Sequence, residues 1–413
     1  MTSTTSRIRR RATTSVASLG AAAAIVAVGV SAASTSAATP GDQATTRAGT
    51  CQTSYSSSRD LTAAQQLLGR TPAGRLPDGV ASQPAISRDS RANRVVAYTS
   101  TSTTTATPVA PGTRNIFVVR RTGTIAKNAN AWQVGATQLI SVGTGGAAAN
   151  GDSFGASISG YTGGSDAAKG PSKLAFLSKA TNLPGGNATG TSAFTASVNG
   201  GGISRIDAPG TATGVGISGD SKLVYVSTES GLYVQRGSRV KKLVSGSGIS
   251  SPSTTLNGKQ AAYEQNGTVF TIKSNGSGRK KIAKGTAPQS DGGNPSGSGI
   301  GLIRAIAFKR GGGAWRAEIA GSKVRQVRFG NAPGGAVSIN GGGNGVGFGN
   351  GANVCLQVRL LGSDPRSGGY DIPQGACPAG QGDVTDVSVS TRYNYLAFAC
   401  SKGGLYLQYV GGK

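Results

Sequence analysis

The feature that most constrains this chain is a short apolar run that ends in an aromatic residue and recurs along most of its length. The run reads Val-Val-Ala-Tyr at residues 95–98 and Leu-Ala-Phe at residues 174–176. Short runs rich in β-branched and aromatic residues favour strands over helices. The aromatic residues that end the copies are Tyr98, Phe176, Tyr225, Tyr263, Phe308, Phe348 and Phe398. Repetition of one such unit predicts a repeat architecture.

The spacing of the copies indicates the type of repeat. From Phe176 to Phe398 the chain runs 222 residues in five steps, and the resulting spacing of about 44 residues is typical of propeller blades. Around the third copy, residues 215–234 contain three apolar runs separated by turn residues, and residues 240–244 supply a fourth. We therefore predict an all-β fold, a single β-propeller of four-stranded antiparallel blades. Seven blades are favoured, and the degenerate fifth and sixth units also allow six or eight.

Two parts of the repeat are irregular. The interval from Tyr98 to Phe176 is 78 residues long and contains either a long insertion or an eighth unit. The last unit has only three strands, which would leave an unpaired edge. We expect residues 52–58 or 72–82 to supply the missing strand, so that the N- and C-terminal segments close the ring together. Long loops at 99–113 and 160–172 can bind partners, although such loops also tolerate drift without any function.

The N-terminal residues have the features of an export signal. Four arginines between positions 7 and 11 precede an apolar run at 16–30 and the small residues Ser-Ala-Ala at 36–38. This pattern predicts a signal peptide over 1–38 and a secreted or extracytoplasmic protein, exported by either the general or the twin-arginine route. A flexible segment with a short helix at 61–68 is expected over 39–82, and the propeller over 83–413. No later segment is long and apolar enough to span a bilayer.

The chain is strongly basic, with 42 lysines and arginines against 16 acidic residues and a net charge of +26. Loss of a leader with four arginines would leave a net charge of +22. Such a surface attracts polyanions in a salt-dependent way, and outside the cytoplasm these are wall polymers, lipid head groups or acidic polysaccharides. Equally, the charge can serve solubility alone. Nucleic acid is not expected as a partner, because no platform of interleaved aromatic residues accompanies the charge.

Histidine is absent from the sequence, and four cysteines are present. The lack of histidine excludes Ser-His-Asp and Cys-His catalysis and histidine-ligated metals. An even number of cysteines in an exported chain predicts disulfides, for which three connectivities exist. We favour Cys355–Cys377 within the sixth unit and Cys51–Cys400 between the N-terminal segment and the last unit. Neither a metal site nor a cofactor is expected.

The acidic residues do not form a recognisable catalytic pattern. They are scattered singly, and Asp89 and Asp220 lie in the repeated turn, where aspartate has a structural role. A polysaccharide lyase or glycoside hydrolase that uses carboxylates, tyrosine or arginine in the central channel is the enzymatic alternative. Trp132 and Trp315 are expected to pack within blades rather than to bind sugars, with Trp315 in a third strand.

The repeat resembles the TolB-type propeller repeat, a WD-like family of exported bacterial proteins. Residues 84–90 read Pro-Ala-Ile-Ser-Arg-Asp-Ser and residues 95–100 read Val-Val-Ala-Tyr-Thr-Ser, close to the strand pair of that motif. Residues 174–183 and 215–222 match it again, while Ser90 and Ser221 replace the turn glycine. The resemblance covers residues 83–413. It implies a propeller that binds proteins or envelope components, and it transfers no catalytic residues.

These features together predict a non-enzymatic, monomeric, exported scaffold that binds an envelope protein or an anionic cell-wall polymer. Binding is expected at one face of the ring, through loops and with help from positive charge. The residues that bind the ligand cannot be assigned from the sequence. A stable secreted propeller without a specific ligand is a third interpretation.

Overall fold

The computed structural model describes residues 65–89, 94–105, 109–122, 133–160, 170–186, 189–292, 301–359, 361, 370–391 and 395–409. These residues form strands, turns and loops, and none of them lies in a helix. The strands, in chain order, are β1 (Gln65–Leu67), β2 (Ala81–Ile86), β3 (Val95–Ser100), β4 (Asn115–Thr122), β5 (Gln133–Leu139), β6 (Ser153–Ile158), β7 (Lys173–Ser178), β8 (Ser192–Ser197), β9 (Ser204–Ile206), β10 (Ala212–Ile217), β11 (Leu223–Thr228), β12 (Gly231–Arg236), β13 (Arg239–Ser245), β14 (Ile249–Thr254), β15 (Gln260–Gln265), β16 (Thr268–Lys273), β17 (Lys280–Lys284), β18 (Thr286–Ser290), β19 (Ala305–Arg310), β20 (Gly313–Ala320), β21 (Lys323–Asn331), β22 (Ser338–Ile339), β23 (Gly345–Asn350), β24 (Asn353–Val358), β25 (Tyr370–Ala376), β26 (Val384–Val389), β27 (Tyr395–Cys400) and β28 (Leu405–Tyr409).

The strands form seven antiparallel sheets of four strands around a common axis, which is a seven-bladed β-propeller. Blades one to six are consecutive meanders from β2 to β25, and blade seven has the order β26-β27-β28-β1 from its inner to its outer strand. The predicted fold class is therefore confirmed. Apolar clusters fill all seven interfaces between neighbouring blades, so each blade is buried against two others.

The recurring aromatic run is the second strand of every blade, as the repeat predicted. In six blades its aromatic residue lies at the same level, and four of these rings stack on an aromatic residue of the third strand: Tyr98 on Phe117, Phe176 on Phe194, Tyr263 on Phe270 and Phe398 on Tyr406. In blade three the aromatic residue lies one position earlier in the second strand. There Val226 pairs with Tyr233, while Tyr225 lies opposite Gly216 and donates a hydrogen bond to the carbonyl of Gly258 in blade four.

The ring is closed by an N-terminal strand, but not by either predicted segment. The closing strand is β1, in which Gln66 pairs with Leu407, whereas residues 52–58 lie outside the described part of the chain. The predicted helix at 61–68 is wrong where the structure describes it, because three of those residues form β1. Residues 72–82 do not close the ring either, since Ala81 already begins the inner strand of blade one.

The 78-residue interval contains insertions rather than an eighth blade. The described residues in and near this interval form the second, third and fourth strands of blade one and the first two strands of blade two. The excess length is spread over the four connections between β3 and β7, each of which has at least ten residues. The positions 99–113 and 160–172 both fall largely within these connections.

Candidate functional site

The seven inner strands surround a central channel with a volume of about 370 Å³. One edge of each inner strand faces this channel and has no neighbouring strand. Unpaired backbone N–H groups at a buried edge are costly unless they find an acceptor. Serine side chains supply several of these acceptors from the preceding blade. The pairs are Ile86 N–H to Ser388 Oγ, Ile217 N–H to Ser157 Oγ, Ser290 N–H to Ser253 Oγ and Val389 N–H to Ser338 Oγ.

Arg88 extends across one end of the channel. This residue follows the inner strand of blade one, and its Nη1 donates a hydrogen bond to the carbonyl oxygen of Thr254 in blade four. Burial lowers the pKa of the Arg88 guanidinium to about 10, and the negative charge of Asp291 acts in the opposite direction. The group therefore keeps its positive charge at neutral pH, so it places a fixed cation at this end of the channel.

Asp386 lines the channel from the middle of β26, the inner strand of blade seven. Burial raises the pKa of its carboxyl group, although hydrogen bonds from the Gln83 backbone and the Thr385 side chain and the charge of Lys309 favour the ionised form. Asp386 and Asp291 are separated by about four residues along equivalent inner strands, or roughly 13 Å. Paired glycosidase carboxylates lie roughly 5–9.5 Å apart. A backbone separation of this size argues against such a pair.

Part of the long loop after β3 is held by one carboxylate. Asp78 accepts hydrogen bonds from the side chains of Ser102, Thr103 and Thr104 and from the backbone of the last two. The hydrogen bond from the Thr103 hydroxyl is the largest of the effects that hold the pKa of Asp78 well below its usual range. This part of the loop at 99–113 therefore has a clear structural role.

A basic surface covers the outer strands of blades three, four and five. We call residues 236–245, 273–284 and 323–331 the basic arc; they contain twelve lysines and arginines and no acidic residue. Counted within the strands alone, β13, β17 and β21 carry nine lysines and arginines, three on each strand. The other four outer strands, β1, β5, β9 and β25, contain one arginine, Arg205, and one aspartate, Asp371. Arg205 also forms an ion pair with Asp207. The positive charge of the outer strands is thus concentrated on three neighbouring blades.

Contacts between the blades make the basic arc continuous. The Nζ of Lys241 in blade three donates to the carbonyl oxygen of Asn275 in blade four, at 2.9 Å. In the same way, Lys280 in blade four donates to the carbonyl oxygens of Gly321 and Ser322 in blade five, at 2.9 and 3.0 Å. Lysines of one outer strand therefore reach the hairpin of the next blade, and the charges follow one path along the rim.

Two arginines of this region lie flat on aromatic rings. The guanidinium carbon of Arg279 is 4.4 Å from the centre of the Phe270 ring, and that of Arg310 is 3.6 Å from the Trp315 ring. Tyr263 and Phe270 pack at the interface of blades three and four, and Trp315 packs at the interface of blades four and five. The two guanidinium groups therefore occupy successive clefts between blades. Sequence analysis missed this pairing, because the contacts depend on how the strands of each blade turn and pair, which the residue pattern does not show.

Arg316 of blade five differs from these two arginines, because it is enclosed in the protein. Arg316 is fully buried and forms an ion pair with Glu318, which also pairs with Arg325 at 3.1 Å. Its Nη1 donates to the carbonyl oxygens of Gly343 and Arg359 across the interface with blade six. Burial lowers the pKa of Arg316, and the negative charge of Glu318 raises it. This group is enclosed and paired with an acid, so its role is structural.

The disulfide pairing differs from the prediction. Cys377 is bonded to Cys400, with their Cα atoms 5.8 Å apart, so the bond links blade six to blade seven. Cys355 could not reach Cys377, because the two residues lie on opposite faces of blade six. Cys355 packs toward blade five with Phe329, whereas Cys377 packs toward blade seven. Cys355 is itself in a disulfide, and Cys51 lies outside the described residues.

The remaining predictions concern tryptophans, metals and membranes. Trp315 lies in a third strand, as predicted, and its indole N–H donates to the backbone carbonyl of Arg310; Trp132 lies outside the described residues. In the described part of the chain, no three acidic or cysteine side chains come together as a metal-binding group. Nor does this part contain a helix that could cross a membrane.

Comparison with known proteins finds no family model that matches this chain and no curated protein that matches it.

Proposed function

We propose that this protein is a non-enzymatic, exported propeller of the TolB type that binds an anionic component of the cell envelope. The observation that carries the proposal is the uneven charge of seven outer strands that occupy equivalent positions. If lysines and arginines served only to protect exposed strand edges or to keep the protein soluble, they would be needed on every outer strand. They are concentrated on blades three to five. A local concentration of charge is expected where an anionic partner binds.

Export is supported by two features of the chain. Residues 1–38 have the pattern of a signal peptide, and the Cys377–Cys400 disulfide is of a kind that persists in oxidising compartments. The motif over residues 84–100 supports the family assignment. Sequencing the N-terminus of the protein recovered from culture would test both export and the cleavage position.

The binding proposal is tested by fractionation of the source cells. We expect the purified protein to stay on one envelope fraction above about 0.5 M salt, where most surface attraction is screened. Replacing Lys242, Lys281 and Lys323 with glutamine should weaken this retention about fivefold or more at 0.15 M salt, because each exposed ion pair contributes about 0.2–1 kcal/mol.

The matched control replaces three exposed lysines outside the basic arc, Lys173, Lys222 and Lys402, with glutamine. It removes the same charge and should leave retention nearly unchanged. Equal loss in the two triple variants, or release of the wild type from every anionic fraction at low salt, would refute a specific envelope ligand.

The enzymatic alternative receives one supporting observation, the presence of Arg88 and Asp386 in the channel. The separation of the channel acids argues against it. A turnover screen on acidic polysaccharides decides between the two functions, since cleavage that is abolished by Asp386→Asn would establish an enzyme.

A further inference from the structure

We infer that Arg279 and Arg310 are anchor residues for successive anionic groups of one linear polyanion that follows the basic arc. The inference rests on the proposed function, because it assigns the ligand class and two contact residues to the same surface. It depends on two observations. Neutral groups position both guanidinium groups, and neither group is in an ion pair with a described carboxylate.

Both guanidinium groups are positioned by neutral partners. Arg279 donates from Nε to the hydroxyl oxygen of Tyr263 and from Nη2 to the side-chain oxygen of Gln265, each at 2.6 Å. Arg310 donates from Nη1 to the side-chain oxygen of Gln326 at 2.7 Å. An aromatic ring lies against each of them. These contacts fix the plane of the guanidinium group without cancelling its charge.

Several other arginines of the described chain are held by acids instead. Arg114 also lies on an aromatic ring, that of Phe154, but it is paired with Asp152 at 2.8 Å. Arg316 and Arg325 share Glu318. Neither Arg279 nor Arg310 is in an ion pair with a described carboxylate, although both are as well positioned as Arg114. Arg279 lies within the basic arc, and Arg310 lies on blade five, whose outer strand belongs to it.

Each anchor also keeps hydrogen-bond donors for a ligand. Among the described residues, the Nη1 group of Arg279 and the Nε and Nη2 groups of Arg310 make no hydrogen bond. Arg279 is exposed and Arg310 is half-buried. A guanidinium group held in one plane loses less conformational entropy when it binds an oxyanion. Arg310 can present its adjacent Nε and Nη2 donors to two oxygens of a phosphate or a carboxylate, whereas Arg279 presents Nη1.

The placement of the anchors favours a polymer over a small anion. Each anchor lies in its own cleft, one blade apart, and exposed lysines such as Lys281 and Lys323 lie on the outer strands of the same blades. A single small oxyanion would use one cleft. A chain with regularly spaced negative charges can use both, and linking the two contacts raises the affinity well above that of either one.

The experiment measures binding of fluorescent polyphosphate, and separately of polygalacturonate, to the full chain by anisotropy at 0.15 M and 0.5 M salt. The first variant is Arg279→Gln with Arg310→Gln. Its control, Lys281→Gln with Lys323→Gln, removes two charges from the same blades. We expect a loss of about tenfold or more in the arginine variant, since hydrogen bonds to charged groups are the strong ones, and about two- to threefold in the lysine variant.

A second variant, Arg279→Lys with Arg310→Lys, preserves the charge and guards against misfolding. It should lose most of the affinity that the glutamine variant loses, because lysine cannot supply the planar donor set. Tripolyphosphate, which is too short to bridge two clefts, should bind weakly and with little difference among the proteins. Comparison of the two polymers shows whether phosphate or carboxylate is preferred.

Equal losses of affinity in the arginine and lysine variants, or full affinity in the Arg→Lys variant, would show that binding depends on net charge alone. Either result would overturn the inference. Retention of the arginine variant on the envelope fraction at the wild-type level would also overturn the inference, but it would leave the proposed function intact. Loss of envelope retention by the wild type would instead refute the proposed function.

Discussion

The arginines of this protein occupy different chemical settings that the sequence does not distinguish. Arg316 is enclosed and paired with Glu318, Arg88 crosses the channel to a carbonyl group, and Arg279 lies on a ring beside neutral acceptors. The setting depends on which strands meet, and only the fold brings Arg279 to Tyr263 and Phe270. Composition could predict an excess of positive charge, but it could not show which charges remain available.

Asp386 provides a prediction at this scale. Its pKa is raised by burial, so the native protein binds more protons than the unfolded chain, and its stability falls as pH rises through the titration of this group. Asp386→Asn removes that effect while keeping an acceptor for the Gln83 N–H. We expect the free energy of unfolding of the variant to improve relative to the wild type between about pH 4 and pH 7.

Urea unfolding of both proteins across this pH range measures the effect. A difference in unfolding free energy that stays constant with pH would show that Asp386 titrates normally.

For Tyr225, the sequence predicted the strand correctly but not the position of the ring. The apolar run ending at this residue correctly located the second strand of blade three, but the ring lies one position away from those of the other blades. Gly216 opposite it and Gly258 in the next blade provide the space and the hydrogen-bond acceptor. A shift by one residue reverses the face of a strand, and the local sequence pattern alone does not reveal it.

At the scale of strands and loops, the inner strands are held together by their serines and the outer strands differ in charge. The repeat predicted which segments would be strands, because alternation and turn residues are local signals. It could not predict β1, since a three-residue strand has almost no pattern of its own. Residues 61–68 have good helix-forming character, yet pairing with β28 determines the conformation of Gln65–Leu67.

The closing segment supports a prediction at this scale. Leu68 directly follows β1, is fully buried, and its backbone N–H donates to the carbonyl of Leu405. Leu68→Ala should therefore lower the free energy of unfolding by about 2–5 kcal/mol, through lost burial and the cavity left behind. Leu76→Ala is the control, because Leu76 is 40% exposed and its replacement should cost about 0.5 kcal/mol or less.

Denaturant titrations of the two variants provide the measurement. Similar losses for Leu68→Ala and Leu76→Ala would mean that the closing segment contributes little to the stability of the ring.

At the scale of the whole molecule, the number of blades was predictable and the disulfide pairing was not. Seven similar units can be counted in a sequence, whereas the pairing depends on which face of blade six each cysteine occupies. Cys355 and Cys377 belong to one blade and still pack in different interfaces. The candidate binding surface was predictable only as an overall excess of positive charge, because its restriction to three blades follows from blade order and strand position together.

The interblade disulfide gives the prediction at this scale. Replacing both Cys377 and Cys400 with serine opens a loop whose ends are 23 residues apart in sequence. Chain entropy then predicts a loss of about 3 kcal/mol in the free energy of unfolding. Replacing only surface serines such as Ser238 with alanine should leave the stability unchanged. Peptide mapping of the oxidised wild type would contradict the structure if Cys377 were found joined to another cysteine.

The pairing of β1 with β28 also has a consequence for the order of events during synthesis. Gln66 is made 341 residues before its partner Leu407, so the ring stays open until β28 has been made. During that time β1 has no partner strand, and an unpaired strand is prone to pair with other chains. We therefore expect the propeller to complete its folding only after β28 has been translated.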